Sequence, residues 1–246
     1  MELSGNTVLV TGGASGIGFG LAEQFIQAGS TVIICGRRED KLKEAQAKYS
    51  QLHIYSCNLG DPNERVALFE WVTSEFPAVN VLVNNAGIQQ RYPLQQPPEW
   101  ETMHDEIAVN LDAPIHLATL FIPHLLQQTQ AAILNITSGL AFAPIAIMPI
   151  YGATKAALHS FSLSLRQQLL NTSITVIEVI PPAVDTDLGG VGLHTNGTPL
   201  PEYIASVVEQ LKAGSLETSY GFSAQSSRAS REQLDELFKR MNQPRN

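Results

Sequence analysis

Apolar residues along this chain follow two rhythms that alternate. Short apolar runs occupy 7–10, 31–35, 52–57, 79–83, 131–136 and 174–180, the first of them rich in β-branched residues, and most lack polar residues at every second place. Strands of that kind are buried on both faces, which predicts a parallel sheet covered by helices. Between the runs, apolar positions recur at helical spacing. Helices are expected from about Ile17, from the residues after Gly36 through Lys48, and over 99–110, 111–128 and 151–170. Asp61-Pro62-Asn63-Glu64 opens another, with Asp as N-cap and Pro in the first helical position. The alternation predicts an α/β fold, a doubly wound and mostly parallel sheet with helices on both faces.

After Pro181 the pattern loosens. Residues at about 185–200 are rich in Gly, Thr and Asp and read as a flexible flap. A helix near 201–212 and a weak edge strand at 217–220 follow. Ser230-Arg231-Glu232-Gln233 is a capping box that opens a final helix over about 230–242. No repeat, low-complexity tract or linker interrupts the chain, so one domain over 1–246 is expected. Within 151–170, Leu158, Phe161, Leu165 and Leu169 form one apolar stripe, and Ala156, Leu163 and Leu170 form a second. One stripe can meet the sheet and the other a partner subunit, so a homodimer or homotetramer is expected.

Composition narrows the function classes. The 246 residues are 44% hydrophobic and 15% charged, which is globular, and the formal net charge is -8 with no basic run. No nucleic-acid partner is expected. No apolar stretch reaches the roughly 18 residues a membrane span needs, so no membrane partner is expected either. The N-terminal stretch lacks a basic segment and does not read as a signal peptide. Cys35 and Cys57 form no CxxC and no zinc spacing, and the six His residues are scattered. What remains is a reduced, cytoplasmic, metal-free enzyme or binding domain.

Five pieces could carry chemistry. Thr11-Gly12-Gly13-Ala14-Ser15-Gly16-Ile17-Gly18 lies between the first strand and first helix, where glycines let a phosphate approach unpaired helix N–H groups. Tyr151 and Lys155 stand four apart and share a helix face. An ammonium about 5 Å from a phenol, at an effective dielectric near 20, would favour phenolate by roughly 3 kcal/mol, about 2 pK units before desolvation. Ser138 follows the fifth strand, at the ligand end of a parallel sheet. Asn110 precedes Pro114 by four residues, and Pro114 has no N–H for the Asn110 carbonyl, which is left free for a water. Asn84-Asn85-Ala86-Gly87 closes the fourth strand. Each piece by itself also reads as an ordinary turn, cap, kink or exposed helix residue.

Taken in order and spacing, these residues resemble the short-chain dehydrogenase/reductase family from about Thr7 to Lys212. The stretches 80–89, 137–142 and 151–162 resemble one oxidoreductase branch of that family more narrowly. The resemblance implies a Rossmann-like enzyme that moves hydride between a nicotinamide cofactor and a small carbonyl or alcohol substrate. It implies Tyr151 as acid/base, Lys155 as its pKa partner and ribose holder, Ser138 on the substrate oxygen and Asn110 on a relay water. It places the cofactor against Gly12, Ser15, Gly16, Ile17, Gly18, Asn58, Leu59, Asn85, Ala86, Gly87, Pro181, Val184 and Thr186, besides Tyr151 and Lys155. Two departures stand out. Pro181-Pro182 replaces the usual Pro-Gly and predicts a stiffer loop. Asn58 replaces an Asp near adenine, which predicts a weaker contact there.

NADP(H) is expected over NAD(H). The second strand ends Cys35-Gly36-Arg37-Arg38, so no carboxylate stands where an NAD binder grips the ribose hydroxyls. Arg37 and Arg38 can instead meet a 2′-phosphate, helped by the Ser15 hydroxyl. Residues 141–148, with Leu188, Val191 and Leu193, predict an apolar cleft. The alternative is a catalytically silent NADP(H) sensor, which would need the glycine loop but neither Tyr151, Lys155 nor Ser138.

Overall fold

The computed structural model describes residues 1–96 and 98–243. Its strands are β1 (Thr7–Thr11), β2 (Thr31–Gly36), β3 (His53–Ser56), β4 (Val81–Asn84), β5 (Ala131–Ile136), β6 (Ile174–Ile180) and β7 (Glu217–Ser219). They form one sheet in the order β3-β2-β1-β4-β5-β6-β7, and every pairing is parallel. The order reverses between β1 and β4, which opens a crevice at the carboxyl ends of those strands. All six apolar runs became strands, and the weak edge strand formed as β7; β3, at the other edge of the sheet, is not buried on both faces as expected, since His53 and Ser56 are exposed.

The helices are α1 (Gly16–Gln27), α2 (Glu39–Lys48), α3 (Pro62–Glu75), α4 (Trp100–Ile107), α5 (Ala113–Leu125), α6 (Pro149–Gln168), α7 (Leu200–Lys212), α8 (Phe222–Ser226) and α9 (Arg231–Met241). They cover both sheet faces. On one face Phe25 of α1 and Tyr203, Val207 and Leu211 of α7 are buried against the strands. On the other, Leu68 of α3, Leu117 and Phe121 of α5 and Leu165 of α6 are buried. Burial of such side chains, each contributing about 1.5–3 kcal/mol, holds the layers together.

Local sequence explains the boundaries. Asp61 Oδ1 accepts from the Asn63 N–H at 2.7 Å, with Pro62 in the first turn of α3. The Ser230 capping box is complete. α6 starts two residues earlier than the pattern suggested, because Pro149 is preset for a first helical turn. Short α8 had no periodic signal. Between α4 and α5 the chain makes a π-helical turn over Ala108–Asp112, in which the Ala113 N–H donates to the Ala108 carbonyl. The wide turn suits Pro114, which cannot close the α ladder back to Asn110.

Candidate active site

The glycine loop is locked to the end of β4. The Thr11 Oγ1 accepts from the N–H groups of Asn85 at 2.9 Å and Ala86 at 3.0 Å, and donates to the Val83 carbonyl. The Asn85 amide donates to the carbonyls of Thr11 and Gly12 at 2.9 and 3.1 Å. Gly12 and Gly16 have φ of +62° and +55°, a region that disfavours side chains. Ser15 is the N-cap of α1, yet its side chain makes no cap bond, so the first-turn N–H groups stay free for an anion. The Arg38 guanidinium reaches Ser15 Oγ at 3.3 Å. Arg37 is exposed, and no atom lies within 4 Å of where a Gly36 Cβ would stand. Ile17 packs against the core behind the loop, and Leu59 is buried near β3.

Other predicted contacts meet this loop from across the crevice. Thr186 lies 3.4 Å from the point where a Gly16 Cβ would stand. Val184 is buried and forms a bridge with Thr198 that closes the base of the flap. The Pro181 carbonyl accepts from the Gly139 N–H at 2.9 Å, tying the double-proline loop to the Ser138 loop. Asn58 is exposed, and its Oδ1 accepts from the Gly60 N–H within its own turn. The free N-terminal turn and the open space at Gly36 fit a nicotinamide dinucleotide.

Tyr151, Lys155 and Ser138 come together at the carboxyl end of β5, and all three are buried. Ser138 Oγ accepts from the Leu140 N–H at 3.1 Å as the cap of a single 3₁₀ turn, Gly139–Ala141. Lys155 Nζ donates to the Ile136 carbonyl at 2.8 Å and lies 5.7 Å from the centre of the Tyr151 ring. The expected lowering of the Tyr151 phenol by Lys155 is not found. Burial pushes the phenol up to about 12, with only the Ser138 hydroxyl pulling down. Lys155 loses its own hold on a proton, since burial lowers it to about 8. Desolvation of both groups outweighs their attraction here.

Asn110 is fully buried in the π-helical turn. Its Oδ1 accepts from the Ile88 N–H at 2.8 Å, while its amide donates to the Ile88 carbonyl and Thr154 Oγ1. The side chain therefore clamps the Gly87–Ile88 strand exit to α6, a task that the carbonyl argument did not include. Next to Gly87, Asn84 donates to Asn135 Oδ1 at 2.9 Å.

Sequence reasoning missed several neighbours. Glu106 and Tyr203 are buried with side-chain oxygens that have no hydrogen-bond partner among the described residues. Asn242, just after α9, holds the segment between Ser138 and Tyr151, accepting from the Ala146 N–H and donating to the Pro144 carbonyl. The only signal for Glu106 was its place four residues before Asn110. The cleft also differs from the expected apolar one. A cavity of about 480 Å³ is lined by Met148 and Leu193 as foreseen, but also by Gln89, Gln90, Arg91 and His194. Polar strap residues enter because the chain after β4 folds beneath the flap, where Gln89 Oε1 and His194 Nε2 lie 3.1 Å apart. Among the described residues no helix is long and apolar enough to cross a membrane.

Comparison with known proteins agrees with this geometry. The family model for short chain dehydrogenases matches residues 6–194. Over an alignment of 252 positions that covers all of both proteins, the chain is 46% identical to the uncharacterized oxidoreductase DltE of Bacillus subtilis (strain 168). It is similar to a short-chain dehydrogenase from Sphingobium yanoikuyae solved with NADPH, at 28% identity and a TM-score of 0.81, covering 94% of this chain and 91% of that one. L-Sorbose reductase from Gluconobacter frateurii, solved with NADPH and L-sorbose, has 29% identity and a TM-score of 0.70 over 76% of this chain and 73% of that one. With its parallel sheet, its glycine loop and matched residues spanning most of its length, this chain belongs to the short-chain dehydrogenase/reductase family of oxidoreductases.

Proposed function

We propose that this protein transfers hydride between NADP(H) and a small carbonyl or alcohol substrate, with Tyr151 as the acid/base. The observation that carries the reading is the convergence of buried Ser138, Tyr151 and Lys155 on the crevice that the glycine loop borders. A silent sensor would have no use for that triad. The nicotinamide, when bound, supplies or accepts the hydride at carbon. In the reducing direction the Tyr151 O–H gives its proton to the substrate oxygen, and Ser138 donates a hydrogen bond to that same oxygen. A phenol held near 12 is protonated at neutrality, so it is ready to act as a donor. Lys155 turns its remaining N–H donors toward the ribose side and favours the phenolate as it forms. Asn110 keeps Gly87 and Ile88 in place, and its main-chain carbonyl, facing Pro114, holds a water that refills the proton.

On this reading Gly12, Ser15, Gly16, Ile17 and Gly18 hold the pyrophosphate, and Asn58 and Leu59 flank adenine. Asn85, Ala86 and Gly87 border the nicotinamide ribose, and Pro181, Val184 and Thr186 meet the carboxamide. Arg37 and Arg38 take the 2′-phosphate. The exposed Leu163 on α6 and Leu170 in the turn just after it, 42% and 66% exposed, support self-association through that face. The test is kinetic. Parent enzyme should reduce members of a panel of aldehydes, diketones and quinones with NADPH, at a kcat/KM well above that with NADH. Gly36→Asp/Arg37→Ala should cut NADPH affinity by about ten- to hundredfold, the worth of one charge-assisted contact. The open space at Gly36 admits the new carboxylate without strain. A parent that prefers NADH, or a variant that keeps its NADPH preference, would overturn the cofactor assignment.

A further inference from the structure

One carboxylate beside this site has no task in the reading above. Glu106, on α4, is fully buried, and neither carboxylate oxygen has a hydrogen-bond partner among the described residues. The Tyr92 phenol and the Gln90 N–H both act on this carboxylate from the chain after β4, but neither makes a hydrogen bond to it, and the phenol donates to the Thr102 carbonyl at 3.0 Å. A bare buried carboxylate is costly, so the surrounding fold must hold it there. Glu106 stands just before the π-helical turn that carries Asn110, whose amide reaches Thr154, the neighbour of Lys155. Asn110 Oδ1 and Lys155 Nζ lie 3.5 and 3.7 Å from the point where a Gly87 Cβ would stand, so the two groups border one small space. Lys155 is buried too, and its one hydrogen bond among the described residues goes to Ile136. α4 packs directly on α6, so a buried carboxylate without a hydrogen bond and a buried ammonium with two unspent N–H groups lie on adjoining helices.

We propose that Glu106 is a positioning residue of this site: its carboxylate is the counter-charge that keeps Lys155 an ammonium although both side chains are buried. The two charges support each other. Burial drives Glu106 up to about 7 and Lys155 down to about 8, and each opposes the other's shift. The titratable groups that act with Glu106 are Lys155 and Tyr151 of α6 and Tyr92 of the chain after β4, with Asp105 on α4 acting on Tyr92. Glu106 also raises the Tyr151 phenol, which keeps a proton on it until a substrate oxygen takes that proton. This last consequence rests on the proposed role of Tyr151; the charge pairing does not.

The test follows Lys155 itself in the cofactor-free protein, by NMR titration of ¹³Cε-labelled lysine, with Lys155→Met assigning the signal. In Glu106→Gln the Lys155 midpoint should fall by about one unit or more, the usual effect of losing a close opposite charge. Glu106→Asp should fall less, since its carboxylate is drawn back by one methylene. Thermal unfolding of each variant shows whether the fold is kept. A Lys155 midpoint unchanged in folded Glu106→Gln overturns the proposal. Should that variant fail to fold, Glu106→Asp decides by the same measure: a lowered midpoint supports the pairing and the parent's midpoint overturns it. A parent that reduces no carbonyl would sink the proposed function and leave this titration intact.

Discussion

The two banks of the crevice are built on opposite rules. On the bank formed by β1 and α1, polar groups are spent on the fold. Thr11 Oγ1 serves two N–H groups and one carbonyl, and the Asn85 amide serves two carbonyls. On the bank formed by α4 and α6, polar groups are buried at a loss: a phenol pushed up, an ammonium pushed down and a carboxylate that makes no hydrogen bond. The first bank is a rigid frame whose side-chain hydrogen bonds are satisfied before any ligand arrives, with the first-turn N–H groups of α1 left free. The second keeps its groups in electrostatic tension, which is where proton chemistry can be tuned. Stability and reactivity are divided between them.

The contrast can be broken from either side, most strongly at Tyr151. Tyr151→Phe keeps the ring and removes the proton, so turnover should fall at least about 100-fold. Binding of the dinucleotide, followed by fluorescence titration, should stay nearly unchanged. Turnover within tenfold of the parent would remove Tyr151 from the chemistry. On the other bank, Gly18→Ala would put a Cβ 2.3 Å from Asn85 Nδ2 and 2.6 Å from the Gly12 carbonyl oxygen. Crowding of this kind costs about 1–3 kcal/mol, so Tm should drop by several degrees and dinucleotide affinity by about tenfold. A variant with the parent's Tm would show that the Asn85 clamp yields easily.

Pro114→Ala probes the join between the banks. It restores an N–H at position 114 and lets the helix close over the Asn110 carbonyl, so turnover should slow several-fold with cofactor affinity kept. A crystal structure of the variant that retains the wide turn, with unchanged turnover, would end the relay-water idea. The smallest effect is expected at His159, whose Nδ1 lies 2.9 and 3.0 Å from the buried Glu178 oxygens. The carboxylate holds the imidazole above its ordinary range. A raised folded value means that this pair stabilises fully below pH ~6.5 and is lost as pH climbs through the raised value. Denaturant unfolding should therefore show stability falling in the parent as pH rises from 6 to 9, and His159→Gln should flatten that loss.

What could be read in the sequence was local. The buried strands, the glycine loop and the Tyr151–Lys155 face each rest on residues a few positions apart, so periodicity and spacing suffice. Asp61 and Ser230 announced their helices by their own side chains. The sequence carried no such sign of Glu106 against Lys155, of Gln89 under His194, or of Asn242 on the segment from Pro144 to Ala146. Those relations arise when distant elements dock, and a lone acid in an amphipathic helix looks the same whether it faces water or a buried ammonium. The sign of the Tyr151 shift was lost for the same reason. Charge spacing can be counted along a helix, but the depth at which the helix lies cannot.

The π-helical turn has one more effect. A helix advances about 100° per residue, and a turn that takes in one extra residue slips everything after it by about that angle. Here the turn sits between α4, which carries Glu106, and the 13-residue α5, which presses Leu117 and Phe121 into the sheet. It acts as a phase adjuster, letting each helix choose its inward face separately. Exchanging a side chain within Ala108–Asp112 changes only that residue's own contacts, such as the three hydrogen bonds of Asn110. Deleting a single residue there would rotate the whole of α5 and carry its apolar stripe away from the core.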